Sequence, residues 1–294
     1  MKFSWNSLAP EKLKENMTIK VPSMQDLLEA GVHFGHQVRR GHPKMSPYIF
    51  GARDGVHIID LGKSEEKLQE AARAAYEIGK KGGVMLLVGT KKQAREIIEG
   101  LAKEAELPFL TQHWVGGLLT NFEEIQKNIK KLVNLKEEQQ KGELSRYTKK
   151  EQLLIARKLG KFDTVLGGVA DMKKLPDAMF IVDAQSDNTA VKEAMKMGIP
   201  ILGLCDTNAD PNWFDWPVPA NDDGIKSIKL ICETLINTYT KGKKEAKDVA
   251  EKEQKAKESN EIEVELAPAV KEEAAAIEEE IEKKVVEESE RKTG

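Results

Sequence analysis

Two periodicities divide the chain. Short apolar runs over residues 84–88, 178–183 (closing on Asp183) and 199–205 alternate with stretches whose apolar positions recur at three-and-four spacing, over 91–105, 189–197 and a long last stretch, 222–239. Residues 108–111 read as one more extended piece. Runs without polar interruption fit strands covered on both faces, and the spaced stretches fit amphipathic helices. Their alternation predicts a doubly wound α/β sandwich around a parallel sheet. Upstream, Ser23 is placed to cap a short helix over 24–30 that stops at Gly31, and a second helix over 64–81 ends at Gly82-Gly83. Between them, residues 48–50 and 56–59 flank Arg53-Asp54-Gly55, a hairpin signal with a glycine where φ must be positive.

One stretch breaks the rhythm. Phe122, Ile125, Ile129 and Leu132 form one narrow apolar seam and Ile155, Leu159, Phe162 and Leu166 another, with polar residues 142–150 between. Two such helices predict an antiparallel hairpin of coiled-coil type inserted over 122–159, which splits the α/β domain into 23–121 and 160–240. On its outgoing arm Lys127, Lys130 and Lys131 share a face away from the seam. A solvated face is the ordinary meaning of such a run, and an RNA-facing one is the sharper alternative.

Charge changes the picture mainly at the ends. The 294 residues carry 46 Lys and Arg against 49 Asp and Glu. Residues 241–294 hold twelve of those bases and seventeen of those acids with no aromatic residue, a composition expected to stay mostly disordered. Residues 1–240 are thereby left with 34 bases and 32 acids, so the acidic balance of the whole says little about the folded part. Residues 1–22 form a polar, proline-marked N-terminal extension. No apolar run approaches the roughly 18 residues of a membrane span and the start lacks the apolar core of a signal peptide, so a soluble, cytoplasmic protein is expected. Cys205 and Cys232 sit in apolar patterns and read as small buried hydrophobes, neither a disulfide nor a metal pair.

Candidate chemistry gathers in four places. The segment Gly31-Val32-His33-Phe34-Gly35-His36 is followed by Arg39, Arg40, His42, Lys44, Tyr48 and Arg53, and it holds several of the five histidines. Donors, cations and aromatic faces in a glycine-broken loop suit phosphate and stacked bases, although a single histidine there is more often part of a satisfied turn. Gly89-Thr90-Lys91-Lys92 lies where the 84–88 strand ends, the usual ligand edge of a doubly wound sheet, and the following helix start makes it an anion-site candidate. It is neither a phosphate-binding P-loop nor a dinucleotide fingerprint. Asp206, Asp210, Asp183 and Asp187 could hold a divalent metal with His33 or His36, but Asp and Asn also close turns and cap helices, as Asp222 would cap the last helix. The turn reading is favoured and the metal stays unknown. Gln112, His113, Trp114, Gly116, Gly117, Thr120 and Asn121 form a polar-aromatic segment at the hairpin root. No nucleophile-base set or nucleophile elbow is present, which points away from an enzyme.

Taken together these residues resemble the bacterial form of the universal small-subunit ribosomal protein number two family. The resemblance rests on Gly31-Val32-His33-Phe34-Gly35-His36-Gln37, Pro43-Lys44-Met45, Tyr48-Ile49-Phe50-Gly51-Ala52-Arg53, Val88-Gly89-Thr90-Lys91, Trp114-Val115-Gly116-Gly117-Leu118-Leu119-Thr120-Asn121, Leu175-Pro176-Asp177-Ala178, Asp206-Thr207-Asn208-Ala209-Asp210-Pro211 and Asn221-Asp222-Asp223. It spans about residues 23–239 in order. It implies a flavodoxin-like domain with an inserted helical hairpin, bound to ribosomal RNA between head and body of the small subunit. It also implies a role in anchoring the mRNA-binding ribosomal protein number one beside neighbouring small-subunit proteins, with no catalysis, cofactor, membrane or small-molecule substrate. Carried onto this chain, the RNA-facing candidates are Arg39, Arg40, Lys44, Arg53, Lys91 and Lys92 with the hairpin lysines, and the loop adds His33 and His36. The competing reading is a flavodoxin-like ligand-binding or signalling domain. It needs an acidic group or a hydroxyl-rich phosphate loop after the first core strand, where Gly89-Thr90-Lys91 stands instead.

Overall fold

The computed structural model describes residues 19–142 and 147–248. The expectations for residues 1–18 and for the tail beyond 248 lie outside the described residues. Contacts divide the chain into two units, Met1–Lys244 and Glu245–Gly294; of the second, the described residues 245–248 are helical.

The first unit opens with α1 (Met24–Glu29), β1 (Phe34–Gln37), β2 (Ile49–Arg53) and β3 (Val56–Ile59). It continues with α2 (Leu61–Lys80), β4 (Met85–Val88), α3 (Arg95–Ala105), β5 (Phe109–Leu110), α4 (Phe122–Gln140) and α5 (Lys149–Leu166). After these come β6 (Ala178–Ile181), α6 (Asn188–Met197), β7 (Ile201–Cys205) and β8 (Trp216–Pro219), and a last helix, α7, over residues 225–244. Strands β4 to β8 form a parallel sheet in the order β5-β4-β6-β7-β8. Numbered along the chain that is 2-1-3-4-5, the flavodoxin-like order of a doubly wound sheet.

Alternation along the strands builds both layers. Met85 and Leu87 with Ala178 and Phe180 face a core closed by α2, α3 and α7, through Leu68, Ile98 and Leu235. Leu86 and Val88 with Met179 and Ile181 face a second core that takes Val191 and Ala194 of α6, Leu118 and Leu119 of the hairpin root, Ile129 of α4 and Phe162 of α5. Strands buried on both faces must be apolar at every position, which is why they read as unbroken runs.

Several expected boundaries move for local reasons. Helix α2 starts at Leu61 because the Asp60 side chain accepts from the backbone N–H of Gly62 at 3.0 Å and so caps it earlier. Helix α3 starts at Arg95, since residues 91–94 make a turn in which the Ala94 N–H meets the Lys91 carbonyl at 2.9 Å. The last helix starts at 225 and Asp222 does not cap it: the Asn221 side chain accepts from Asp223 N at 2.8 Å and Gly224 N at 3.1 Å and holds the preceding turn. Helix α5 runs unbroken past residue 159 to Leu166. Ile19 and Val21 pack into the first core, so the extension up to residue 22 joins the fold at its end. The histidine segment, read as a loop, is partly strand: β1 pairs antiparallel with β3, which pairs with β2 across the Asp54-Gly55 turn, both residues at positive φ (51° and 77°).

Candidate nucleic-acid interface and the polar cluster beside it

At the carboxyl ends of β4, β6 and β7 the sequence places Thr90 and Lys91, Asp183, and Asp206, and chain reversal at Ala220 adds Asp222 and Asp223. The Lys91 ammonium reaches Asp222 at 2.6 Å, Asp223 at 2.7 Å and Asp183 at 3.6 Å, with its side chain 15% exposed. Beside it the His36 ring lies 3.1 Å from Asp206 and 3.5 Å from Asp223. His36 reaches this point because β1 passes against Thr207, whose hydroxyl accepts from the His36 N–H at 2.8 Å. A Cβ on Gly35 would lie 2.6 Å from the Thr207 methyl, so only glycine lets the strand approach so closely. Asp206 also accepts from Thr207 N at 2.5 Å and Asp222 N at 3.2 Å, and Asp187 accepts from the Thr90 hydroxyl at 2.8 Å.

Charge in this cluster is shared. Burial pushes the Asp222 carboxyl up to about 8, reinforced by the charges of Asp206 and Asp183 and opposed by Lys91. Burial raises Asp187 to about 6. The hydrogen bond to Asp206 raises His36 above its ordinary value, against the cost of burial. Burial disfavours the Lys91 charge, yet the surrounding carboxylates outweigh it and keep the ammonium charged. Ligand atoms of His36, Asp206 and Asp222 lie within 4.8 Å of one another, and one imidazole with two carboxylates is a donor set that suits a divalent ion. The Asp183 side chain turns to Ser186, accepting from its N–H and hydroxyl at 3.0 and 2.8 Å, which is loop closure of the kind the turn reading describes.

The sequence candidates therefore separate into three groups. Lys91 and His36 face carboxylates, and Lys44 bonds Asp210 at 2.7 Å, so each lies close to an acid of the same edge. His33 packs its ring 4.0 Å from that of Phe34, and burial lowers its pKa. Arg39, Arg40, Arg53, Lys92, Lys130 and Lys131 are exposed, and so is Lys127, although Glu124 pairs with it at 2.7 Å. Helix α5 adds exposed cations that the apolar seam does not point to, Arg157, Lys158 and Lys161, legible as a basic repeat beside Leu159 and Phe162. The exposed aromatic Phe50, at 80%, is on the small sheet with half-exposed Phe34, and half-exposed Val38 follows β1.

A cavity of 650 Å³ opens at the amino ends of β4 and β5, lined by Val84, Leu107 and Phe109, the end at which doubly wound sheets do not place their chemistry. Fold and site together define a doubly wound α/β protein with a helical insert, an internally paired polar edge and basic outer surfaces. The family described as ribosomal protein S2 matches residues 27–242, and the chain belongs to it. It is 48% identical over 221 residues to a small ribosomal subunit protein uS2 of a Nitratiruptor species, covering 75% of this chain and 83% of that one. To the small ribosomal subunit protein uS2 of Helicobacter hepaticus it is 42% identical over 259 residues, covering 88% and 95%. The family is structural, and the chain is not an enzyme. Among the described residues no helix is long and apolar enough to cross a membrane.

Proposed function

We propose that the chain is a structural part of the small ribosomal subunit that grips ribosomal RNA through Arg39, Arg40, Arg53, Lys92 and the hairpin cations. In this reading it also offers its α/β domain as a docking surface for ribosomal protein number one. The observation that carries the reading is the sorting of charge: acids are drawn inward around Lys91 and His36, while Lys92, Lys130 and Lys131 stay exposed without an ion pair among the described residues. Exposed cations release counterions when they meet phosphate, and contacts of this kind fix position more than they read sequence. Exposed Phe50 supports a protein neighbour on the small sheet, because a large aromatic ring left in water gains most from being covered.

The test is sedimentation of a native lysate with probing for this chain, followed by binding of purified chain to small-subunit RNA at rising salt. Co-migration with small subunits and a steep salt dependence are expected. A chain confined to light fractions, or an affinity flat with salt, refutes the reading. Docking is tested separately: Phe50→Ser should reduce recovery of ribosomal protein number one on subunits that still hold this chain, and full recovery removes the small sheet from that interface.

A further inference from the structure

One buried charge takes no part in the polar edge. Glu193 of α6 is 8% exposed, and its partners carry no positive charge. Its Oε1 accepts from the Trp114 indole N–H at 3.0 Å and from Gly117 N at 2.8 Å. Its Oε2 accepts from Leu119 N at 3.1 Å, Thr120 N at 3.2 Å and the Thr120 hydroxyl at 3.2 Å. All five donors belong to the short turn that leads into α4, which begins two residues later at Phe122.

We propose that Glu193 is the latch that sets the direction in which the helical hairpin leaves the sheet, and so a positioning residue for its basic face. Three observations support it. First, α4 has no side-chain cap of its own, Asn121 making none, whereas α5 is capped by Thr148 and Glu151. The start of α4 is therefore fixed from outside the helix. Second, the anchor is rigid: neighbouring Ala190, Val191 and Ala194 of α6 are buried in the second core beside Leu118 and Leu119 of the turn. Third, the chemistry asks for a carboxylate. Five donors converge on two oxygens, and a glutamine would aim its own N–H groups at one of the donor pairs. Burial works against the charge, but the bonds from Trp114, Gly117, Thr120 and Leu119 outweigh it and hold the carboxyl below its ordinary value. The return arm is held separately, since Gly168 packs directly on the Phe109 carbonyl and Val169 is buried. Farther along α4, Ile129 in the second core and the Gln126 amide on the Lys173 carbonyl at 3.2 Å keep hold of the arm, so loss of the latch loosens its root and shifts its direction without detaching the hairpin.

The functional consequence rests on the reading that the hairpin meets RNA, so the test has independent arms on the full chain. Spin labels at Asn134→Cys and Lys226→Cys report the hairpin direction, the native Cys205 and Cys232 being buried. The parent should give one narrow distance, and Glu193→Gln a broadened or shifted one with a displaced Trp114 indole N–H resonance. An unchanged distance in a folded Glu193→Gln protein overturns the latch. Should that variant fail to fold, amide exchange in the parent decides. Protection of Gly117, Leu119 and Thr120 matching that of α6 supports the proposal, and exchange at the rate of an open loop overturns it.

In the second arm Glu193→Gln should weaken binding to small-subunit RNA roughly tenfold through lost preorganisation. The pair Lys130→Glu and Lys131→Glu should weaken it without moving the labels. If the lysine reversal leaves affinity intact, the RNA reading of the hairpin fails while the latch is judged by distance alone. If the reversal weakens binding and the broadened Glu193→Gln chain binds like the parent, the positioning role is overturned.

Discussion

The carboxyl edge of the sheet and the helical hairpin are both dense in charge, yet they hold it in opposite ways. At the edge, Lys91, His36 and four aspartates are drawn together within a few ångströms, largely out of water. On the hairpin, Lys130, Lys131, Arg157, Lys158 and Lys161 stand apart in solvent, over a seam in which Ile129, Leu159 and Phe162 are buried. Lys91 and Lys92 show the same divide between adjacent residues, one turned inward and one outward. Buried charge that is paired at home is structure, and its loss is felt in folding. Exposed charge is available to a polyanion, and its loss is felt in binding.

The largest effect expected from breaking this comparison is at Lys91. Lys91→Met leaves Asp222 and Asp183 facing each other without their cation, and removing one partner of a buried pair costs about 3–5 kcal/mol. Denaturant unfolding should show a loss near the low end, because the ammonium keeps some contact with water; a change under about 1 kcal/mol would mean the cluster is not structural. Next comes the hairpin pair Lys130→Glu and Lys131→Glu. It should leave unfolding within about 0.5 kcal/mol while lowering the salt slope of RNA binding, by about 0.9 for each phosphate no longer neutralised. An unchanged slope would exclude both lysines from the RNA interface.

A smaller effect separates the two regions by pH. His36 is raised above 6.5, so its stabilisation is whole below 6.5 and fades as pH climbs through its folded value. Asp222, raised from 3.8 to about 8, works in the same direction, because folding favours its protonated form and stability falls as pH rises across that interval. Glu193 is lowered from 4.5, so its contribution is whole above 4.5 and is lost as pH falls through its folded value. Amide exchange followed from pH 4 to 9 with a chelator present should therefore loosen the polar edge on the alkaline side and the hairpin root on the acid side. Loosening of both at the same end would show that the two regions titrate as one. The smallest effect is at the Lys127 and Glu124 pair, where Lys127→Gln should barely move the melting temperature because exposed pairs contribute little. A drop of several degrees would mean that pair is tied to the seam.

The sheet is legible in the sequence because burial on both faces leaves a wholly apolar run, and helices α4 and α5 because their two seams keep helical spacing. Strand β8 is not legible: Pro217 and Pro219 look like strand breakers, but at the sheet edge a missing N–H costs no ladder bond. Strand β1 is hidden by its glycine and histidine, since its extended form comes from pairing with β3. The polar edge is half legible. The turn at Lys91 stands out and its partners do not, because Asp222 lies 131 positions away in sequence and nothing local marks the pairing. Glu193 is invisible for the same reason. Beside Lys192 it looks like any solvated helix glutamate, and its donors lie more than seventy residues upstream.

Helices α2 and α7 bear on each other through glycines. A Cβ on Gly79 would collide with the Tyr239 carbonyl, and one on Gly242 with the Tyr76 carbonyl, so each backbone rests in the other's notch. The first core, which also takes Ile19 and Leu27 from the beginning of the chain, is thus sealed by nearly the last residues of the domain. During synthesis that seal comes late: until α7 has left the machinery that makes it, the face of α2 that Ile228, Ile231 and Leu235 cover is open to any passing chain. A truncation before Ile228, which removes every core residue of α7, is therefore expected to lose the molecule to aggregation or degradation, far out of proportion to the length removed.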